Sequence, residues 1–144
     1  MAENGNCAIV RRWFDEVWIR RMDATVHELL DPRAIGHLEG LTTRGVDDFL
    51  AARAHILHAF PDFEVKIEAL LADGDHVVAR WTAGGTHQNP LLGVPATGKA
   101  VRFRGLTWFT LKDGRLFEGW DVWNQGRVMA ELQAAAAGAN QSAA

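Results

Sequence analysis

The main change in hydrophobic period along the chain falls near Pro61-Asp62, and this change constrains the fold more than any other feature. Before it, apolar residues recur at intervals of three and four, which is typical of helices with one buried face. After it, apolar and polar residues alternate in runs separated by turn residues, which is typical of strands. Helices followed by strands predict an α+β fold. In this fold three N-terminal helices cover one face of a curved antiparallel sheet, giving a cone-shaped α+β barrel.

The three predicted helices are marked by apolar stripes and capping signals. The first spans residues 6–22, a short second helix begins at Asp23 and ends near Leu30, and the third spans residues 45–60. Arg53 is a cation in the middle of the third stripe. A cation there must extend to solvent, pair with an acid or bind a polar group of a substrate. The sequence leaves all three open.

The predicted strands after the period change are bounded by turn residues and cover 63–72, 76–87, 99–111 and 115–124. A further short strand is predicted from Ile35 to Glu39, and a closing helix over residues 125–134. No repeat or linker divides the chain, so residues 1–134 are predicted to form one domain. Residues 135–144 are rich in alanine and are predicted to be a flexible tail.

Composition and charge exclude several classes of protein. The 144 residues are 48% hydrophobic and 23% charged, as in ordinary globular domains. The formal net charge of −3 does not favour nucleic acid or an acidic membrane surface as a partner. Cys7 is the single cysteine, which precludes an internal disulfide and fits a reducing compartment. Without a membrane-length apolar run or a secretory leader, the chain is predicted to be cytoplasmic.

One acid, Asp121, lies in an apolar and aromatic stretch near the end of the last predicted strand. Strand alternation puts the odd positions from Phe117 to Trp123 on the face of Asp121, and the even positions from Leu116 to Val122 on the other. Burial among apolar groups raises the pKa of a carboxyl group. Asp121 is therefore a candidate proton-transfer group, and the alternative is a structural acid that is salt-bridged or solvated.

Both faces of the last strands carry large apolar side chains. Helices can cover only one face of a sheet, so the other face is predicted to contact a second subunit, which indicates a homodimer. Arg102, Arg104 and Trp108 alternate with the buried positions of the preceding strand and are assigned to that second face.

Three short motifs, in this order and spacing, resemble those of the SnoaL-like polyketide cyclases, within the nuclear-transport-factor-2-like superfamily. They are Phe60-Pro61-Asp62-Phe63, then Gly85-Thr86-His87 before Leu92 to Lys99, and Asp113-Gly114-Arg115-Leu116 leading into Trp120-Asp121. The resemblance covers roughly residues 8–134.

The resemblance implies ring closure by intramolecular aldol condensation, with no metal or cofactor, in a pocket between the helices and the sheet. The acid/base aspartate of the family falls on Asp121, and a histidine that accompanies it falls on Thr107. Threonine does not titrate near neutral pH, although its hydroxyl can donate a hydrogen bond. The superfamily also contains isomerases, hydroxylases, epoxide hydrolases and non-catalytic ligand binders, so fold alone does not select the reaction.

The remaining candidate residues are predicted to bind a small hydrophobic substrate, which could be a polycyclic compound. Thr107 or His37 is expected to hold a developing oxyanion. His55 and His58 are spaced as metal ligands but lie off the apolar stripe without acidic partners, so no metal site is predicted. Two alternatives stay open: a binding module without catalysis, and a related lyase, isomerase or hydroxylase. The residues predicted to contact the substrate are Trp13, Trp18, Phe49, Arg53, His87 and Trp123.

Overall fold

The structure, a computed structural model, describes the backbone of residues 4–143 and the side chains of residues 4–138. Within this range the helices are α1 (Gly5–Arg12), α2 (Asp23–Leu29), α3 (Gly45–Ala59) and α4 (Gln125–Ala143), with a π-helical segment at Trp13–Ile19. The strands are β1 (Leu30–Leu38), β2 (Leu41–Arg44), β3 (Glu64–Asp73), β4 (His76–Thr86), β5 (Ala100–Lys112) and β6 (Arg115–Trp123).

The α+β prediction is confirmed, with three differences in the sheet: it does not close into a barrel, it is mixed, and it has one strand more than predicted. Its six strands run in the order β2-β1-β6-β5-β4-β3, and the ends do not join, so the sheet is curved but open. β1 pairs with β6 in parallel, which makes the sheet mixed rather than wholly antiparallel. β2, a short strand paired with β1, was not predicted, because four residues after a turn carry too little periodicity to be recognised.

The first predicted helix is continuous in the chain but changes its hydrogen bonding. From Trp13 to Ile19 the backbone is π-helical, and the segment ends where the Arg20 N–H donates to the Asp15 carbonyl at 2.8 Å. The predicted stripe still faces inward, since Trp13 and Val17 are buried. Periodicity predicted the buried face correctly and did not reveal the wider turn.

The sheet has two unlike faces. The inner face is the side packed against the helices, and its side chains on β4 and β5 are buried: Val77, Ala79, Trp81, Ala83, Val101, Phe103, Thr107 and Phe109. Phe14 of the π-helical segment packs edge-to-face on Phe109, with ring centroids 6.1 Å apart. The outer face has large exposed apolar side chains at Leu106, Trp108, Trp120 and Val122.

A β-bulge in β6 corrects the predicted alternation. Between Thr110 and Leu111 the pairing of β5 with β6 slips, so that Leu111 lies opposite Leu116 and both are buried. Phe117 is instead flanked by two cations, Arg33 and Lys112, at 5.7 and 5.4 Å from its ring. The assignment of Phe117 to the face of Asp121, and of Leu116 to the other, was therefore wrong. A one-residue insertion reverses the parity of every position before it.

The last helix, α4, continues to Ala143, beyond the predicted end at residue 134. The flexibility of this segment stays a prediction. Among the helices of the described residues, none combines the length and the hydropathy of a membrane span.

Candidate active site

Asp121 lies two residues before the end of β6, directly opposite Thr107 of β5. Its Oδ1 accepts a hydrogen bond from the Thr107 hydroxyl at 2.6 Å. The side chain is half-buried, and burial raises the pKa of the carboxyl group above its ordinary value of 3.8. The Thr107 hydrogen bond lowers the pKa and the negative charge of Glu39 raises it, both by less than the burial does. The carboxyl group of Asp121 therefore keeps some contact with solvent, in surroundings that disfavour its charge. We call the space around it on the inner face, between Gly119 and Trp123 of β6, the recess.

Thr107 connects Asp121 to a tryptophan that sequence reasoning missed. The indole Nε1 of Trp81 donates to Thr107 Oγ1 at 3.0 Å, and both side chains are buried. A threonine hydroxyl has one proton, and here that proton is directed at Asp121 Oδ1. Within the described residues Asp121 Oδ2 has no hydrogen-bond partner, so the second carboxylate oxygen is the one available to a ligand.

Gly105 explains how the indole of Trp81 reaches Thr107. Trp81 pairs with Gly105 across β4 and β5, and its ring lies over the glycine. A Cβ at Gly105 would lie 2.5 Å from Trp81 Cζ2 and 2.5 Å from the carbonyl oxygen of Val122. A glycine inside a strand commonly marks such a close approach, and this signal was present in the sequence.

The inner face of β6 has open space next to the carboxylate. Gly119 lies two positions before Asp121, and a Cβ there would meet no atom within 4 Å. Trp123 lies two positions after Asp121, is half-buried and packs on Phe103 with ring centroids 5.5 Å apart. Its indole N–H has no hydrogen-bond partner in the described part of the chain. The inner face of β6 thus has room on one side of Asp121 and an aromatic residue on the other.

His37 lies on the outer face, across the sheet from Asp121. It pairs in register with Trp120, and the two rings stack at 3.7 Å between centroids. Its Nε2 is 2.8 Å from Glu118 Oε2, on a side chain that is also part-exposed. The structure does not bring His37 together with Asp121 and Thr107, so the function proposed below does not use it.

Three of the predicted substrate-contacting residues form one aromatic cluster between the π-helical segment and α3. Phe49 packs against Trp13 at 4.9 Å and against Trp18 at 6.0 Å between ring centroids. Trp13 is buried, whereas Phe49 and Trp18 are half-buried. Trp13 thus belongs to the hydrophobic core, and the contact of this cluster with a ligand stays a prediction.

Arg53 pairs with an acid, which was one of the three predicted outcomes. Its buried guanidinium donates to the carbonyl oxygen of Val17 at 3.0 Å and forms a salt bridge with Asp23, at the start of α2. The Asp23 side chain is largely exposed, so the salt bridge links a buried guanidinium to a solvent-exposed carboxylate. Arg53 does not pair with Asp121, and therefore does not lower the pKa of that acid.

His87 is completely buried at the end of β4, far from Asp121. Ala79 lies opposite Thr107, and His87 follows it by eight residues, which is roughly 25 Å along an extended strand. Its Nδ1 is 3.0 Å from Thr97 Oγ1, and Nε2 has no partner among the described residues. Burial lowers the pKa of the imidazole, which keeps it neutral at neutral pH. The structure places His87 under the loop that follows β4 rather than beside Asp121.

Two further predictions concern sites away from Asp121. His55 and His58 are both exposed, and within the described residues no cluster of three metal-ligating side chains occurs. An open groove of about 790 Å³ lies at the far end of β3, β4 and β5, with charged side chains of both signs at Glu64, Lys66 and Arg102. The groove does not include Asp121, and its acids and bases are solvated. Proton transfer by Asp121 stays a prediction.

Comparisons with known proteins agree with this fold. A family model described as SnoaL-like polyketide cyclase matches residues 8–132. A structure from Jannaschia sp. CCS1, provisionally named a SnoaL-like polyketide cyclase, is 28% identical, with a TM-score of 0.83 over 90% of this chain and 94% of that one. IdmH from Streptomyces antibioticus, provisionally named a polyketide cyclase, is 25% identical, with a TM-score of 0.77 over 90% and 99% of the two chains.

A third similar structure carries a different name. AclR from Streptomyces galilaeus, provisionally named a hydroxylase, is 25% identical, with a TM-score of 0.78 over 89% of this chain and 95% of that one. The comparison with curated proteins found no significant match. The same fold therefore accompanies more than one assigned activity.

Proposed function

Since this chain belongs to the SnoaL-like polyketide cyclase family, we propose that it is an acid/base enzyme that closes a ring in a hydrophobic carbonyl compound by an aldol-type reaction without a cofactor. Asp121 is the residue that takes and returns the proton. The observation that carries the proposal is the setting of its carboxyl group, which is half-buried, raised in pKa by burial and bonded through only one oxygen.

A raised pKa suits Asp121 to both halves of such a reaction. A carboxyl group works best as a general base and then as a general acid when its pKa lies close to the working pH. Asp121 Oδ2 removes a proton from the carbon next to a carbonyl, and the resulting enolate attacks a second carbonyl of the same molecule. The protonated carboxyl group then gives its proton to the new alkoxide. The proton removed is thus returned, and no other reactant is consumed.

The enolate oxygen needs a hydrogen-bond donor, and the structure favours Trp123 for this role over the two residues that sequence reasoning suggested. The single proton of Thr107 is directed at Asp121, and His37 lies on the outer face. Trp123 shares the inner face with Asp121, and its indole N–H is unpaired in the described part of the chain. A preorganised donor aimed at developing charge is commonly the largest single contribution to such catalysis.

A hydroxylase is the second candidate, because AclR has a similar fold and coverage at 25% identity. We take both candidates to begin with proton removal by Asp121; in the first the carbanion attacks a carbonyl carbon, and in the second it must be oxidised by dioxygen or another oxidant that supplies the hydroxyl oxygen. A binding module would use the same recess without any proton transfer. Proton exchange at a carbon therefore separates the two enzyme candidates from the binding module, and product analysis separates the enzymes from each other.

The test is deuterium exchange in D₂O, followed by NMR, with an aromatic β-keto ester as the probe. The unaltered protein should accelerate exchange at the carbon between the two carbonyl groups. Asp121→Asn should lose on the order of 100-fold or more of this acceleration, because it removes the base and keeps the shape. Glu118→Gln is the matched control, since Glu118 lies on the same strand but on the outer face.

Equal exchange rates for the unaltered protein and for Asp121→Asn would overturn the proposal. Binding of the probe without accelerated exchange, at an affinity that Asp121→Asn does not change, would favour the binding module instead. Circular dichroism of each variant confirms that the fold is retained.

A further inference from the structure

We infer that Trp81 is a positioning residue for Asp121: its indole N–H holds the Thr107 hydroxyl so that the single hydroxyl proton points at the carboxylate. This inference rests on the proposed function of Asp121 for its consequence in catalysis. Its physical basis is the hydrogen-bonded chain from Trp81 Nε1 to Thr107 Oγ1 to Asp121 Oδ1, with distances of 3.0 and 2.6 Å.

The direction of both hydrogen bonds follows from the chemistry of the first residue. An indole N–H can donate and cannot accept, so the Thr107 oxygen must be the acceptor of the first bond. The hydroxyl proton is then free for one other acceptor, and Asp121 Oδ1 lies at hydrogen-bonding distance. An indole has one N–H and no alternative tautomer, so the direction of the two bonds is fixed. A histidine or an amide in the place of Trp81 could reverse it by a change of tautomer or a side-chain flip.

The packing around the indole holds this geometry. Trp81 is 9% exposed and lies between Ile67 of β3 and Gly105 of β5, its partners in the sheet. The missing side chain at Gly105 lets the ring cross to the next inner position of β5, which is Thr107. The indole therefore has little room to turn away, and its N–H is a fixed donor.

The hydrogen-bonded chain has two consequences for the carboxyl group. A hydroxyl that donates to a carboxylate stabilises the charged form and so opposes the effect of burial on the pKa of Asp121. Because Oδ1 is occupied, the plane of the carboxylate is set and Oδ2 is left for the substrate. Trp81 acts on both through Thr107 and touches neither substrate nor the reacting atoms.

The first test follows the carboxyl carbon of Asp121 by NMR during a pH titration of the ligand-free protein. Thr107→Val should shift the pKa of Asp121 upward, because the donor to the charged form is lost. Trp81→Phe should shift it in the same direction by a smaller amount, because the hydroxyl remains but is free to rotate. The double variant should match Thr107→Val alone, since Trp81 acts only through the hydroxyl. Thr107→Ser keeps the hydroxyl and should restore the original pKa.

The matched control is Trp108→Phe. Trp108 also donates its indole N–H, to His76 Nδ1 at 3.0 Å, but it is half exposed on the outer face. Its replacement should leave the titration of Asp121 unchanged.

A second measurement needs no variant and covers the case in which Trp81→Phe does not fold. The indole N–H resonance of Trp81 in the unaltered protein should shift with the same midpoint as the carboxyl carbon of Asp121. The resonance of Trp108 should not follow that midpoint. A Trp81 resonance that ignores the titration of Asp121 would overturn the inference, and so would additive pKa shifts in the double variant.

Failure of this inference can be distinguished from failure of the proposed function. The titrations contain no substrate, so they test the hydrogen-bonded chain whether or not Asp121 is catalytic. The deuterium exchange assay tests catalysis by Asp121 whether or not Trp81 positions it.

Discussion

The two faces of the sheet each carry an acid hydrogen-bonded to a polar side chain among aromatic residues, but only one acid lies in a recess. On the inner face Asp121 accepts from Thr107, a buried hydroxyl. On the outer face Glu118 pairs with His37, and both side chains are part-exposed. Similar residues therefore have different surroundings, because burial raises the pKa of Asp121, whereas His37 and Glu118 lie at the outer surface of the sheet.

The layer that covers each face, rather than the residues next to the acid in sequence, sets how far each acid is removed from water. Helices pack over the inner face and remove water from around Asp121. The outer face has no such cover among the described residues, and its tryptophans are about half exposed. We propose that a second copy of this chain covers the outer face, as expected from the apolar side chains on both faces.

The largest expected effect concerns this outer face. Trp120→Ser should weaken a homodimer by about 2 kcal/mol or more, or roughly 30-fold in Kd, because exposed tryptophans at the centre of an interface are common hot spots. Sedimentation equilibrium measures the Kd. Trp18→Phe is the control, since Trp18 belongs to the aromatic cluster of the helices. An unaltered protein that is monomeric at high concentration would contradict the proposal.

A second prediction compares two glycines of the inner face. Gly105→Ala should lower the free energy of unfolding by about 1–3 kcal/mol, because its Cβ meets the Trp81 ring and a backbone oxygen at 2.5 Å. Gly119→Ala should change it by less than about 0.5 kcal/mol, because open space surrounds that position. Urea denaturation measures both. Equal losses would show that the indole does not lie over Gly105.

The smallest expected effect is a gain of stability. Asp121→Asn should raise the free energy of unfolding by roughly 1 kcal/mol at neutral pH, because it removes a carboxylate that burial disfavours. The folded-state pKa of Asp121 is raised above the unfolded value of 3.8. Its stabilising contribution is therefore complete below pH 3.8 and is lost as the pH rises through the folded-state pKa.

Urea denaturation at a series of pH values checks this sign. The difference in stability between the unaltered protein and Asp121→Asn should change with pH over that window and become constant above it. A constant difference at all pH values would indicate that the pKa of Asp121 is not raised by folding.

Periodicity predicted most of the elements because hydrophobic burial is repeated along each of them. It located α3, β4 and β5 to within a few residues, and it grouped Thr107 with Phe103 and Phe109 on one face of β5, which the structure shows to be the buried one. It could not reveal the bulge at Phe117, since one inserted residue leaves no compositional signal. Nor could it place His37, because a short strand does not show which face the helices cover.

The acid at the site was predicted and its partners were only partly predicted. Asp121 was singled out as an acid among apolar and aromatic neighbours, and the family resemblance then made it the preferred proton carrier. Trp81 was missed because one more aromatic residue on a buried strand looks like core. Gly105 carried the only signal, and a strand glycine does not show which side chain approaches it.

The order of most helices and strands, the set of β5 residues that share a face, and the presence of Asp121 among apolar residues near the end of the last strand could be read from the sequence. Those features depend on the spacing of residues along one element. Three features required the folded chain: His37 lies across the sheet, Arg53 pairs with Asp23, and Trp81 reaches Asp121 through a threonine. These features depend on which strands become neighbours and in what register, and residues distant in the chain settle that together.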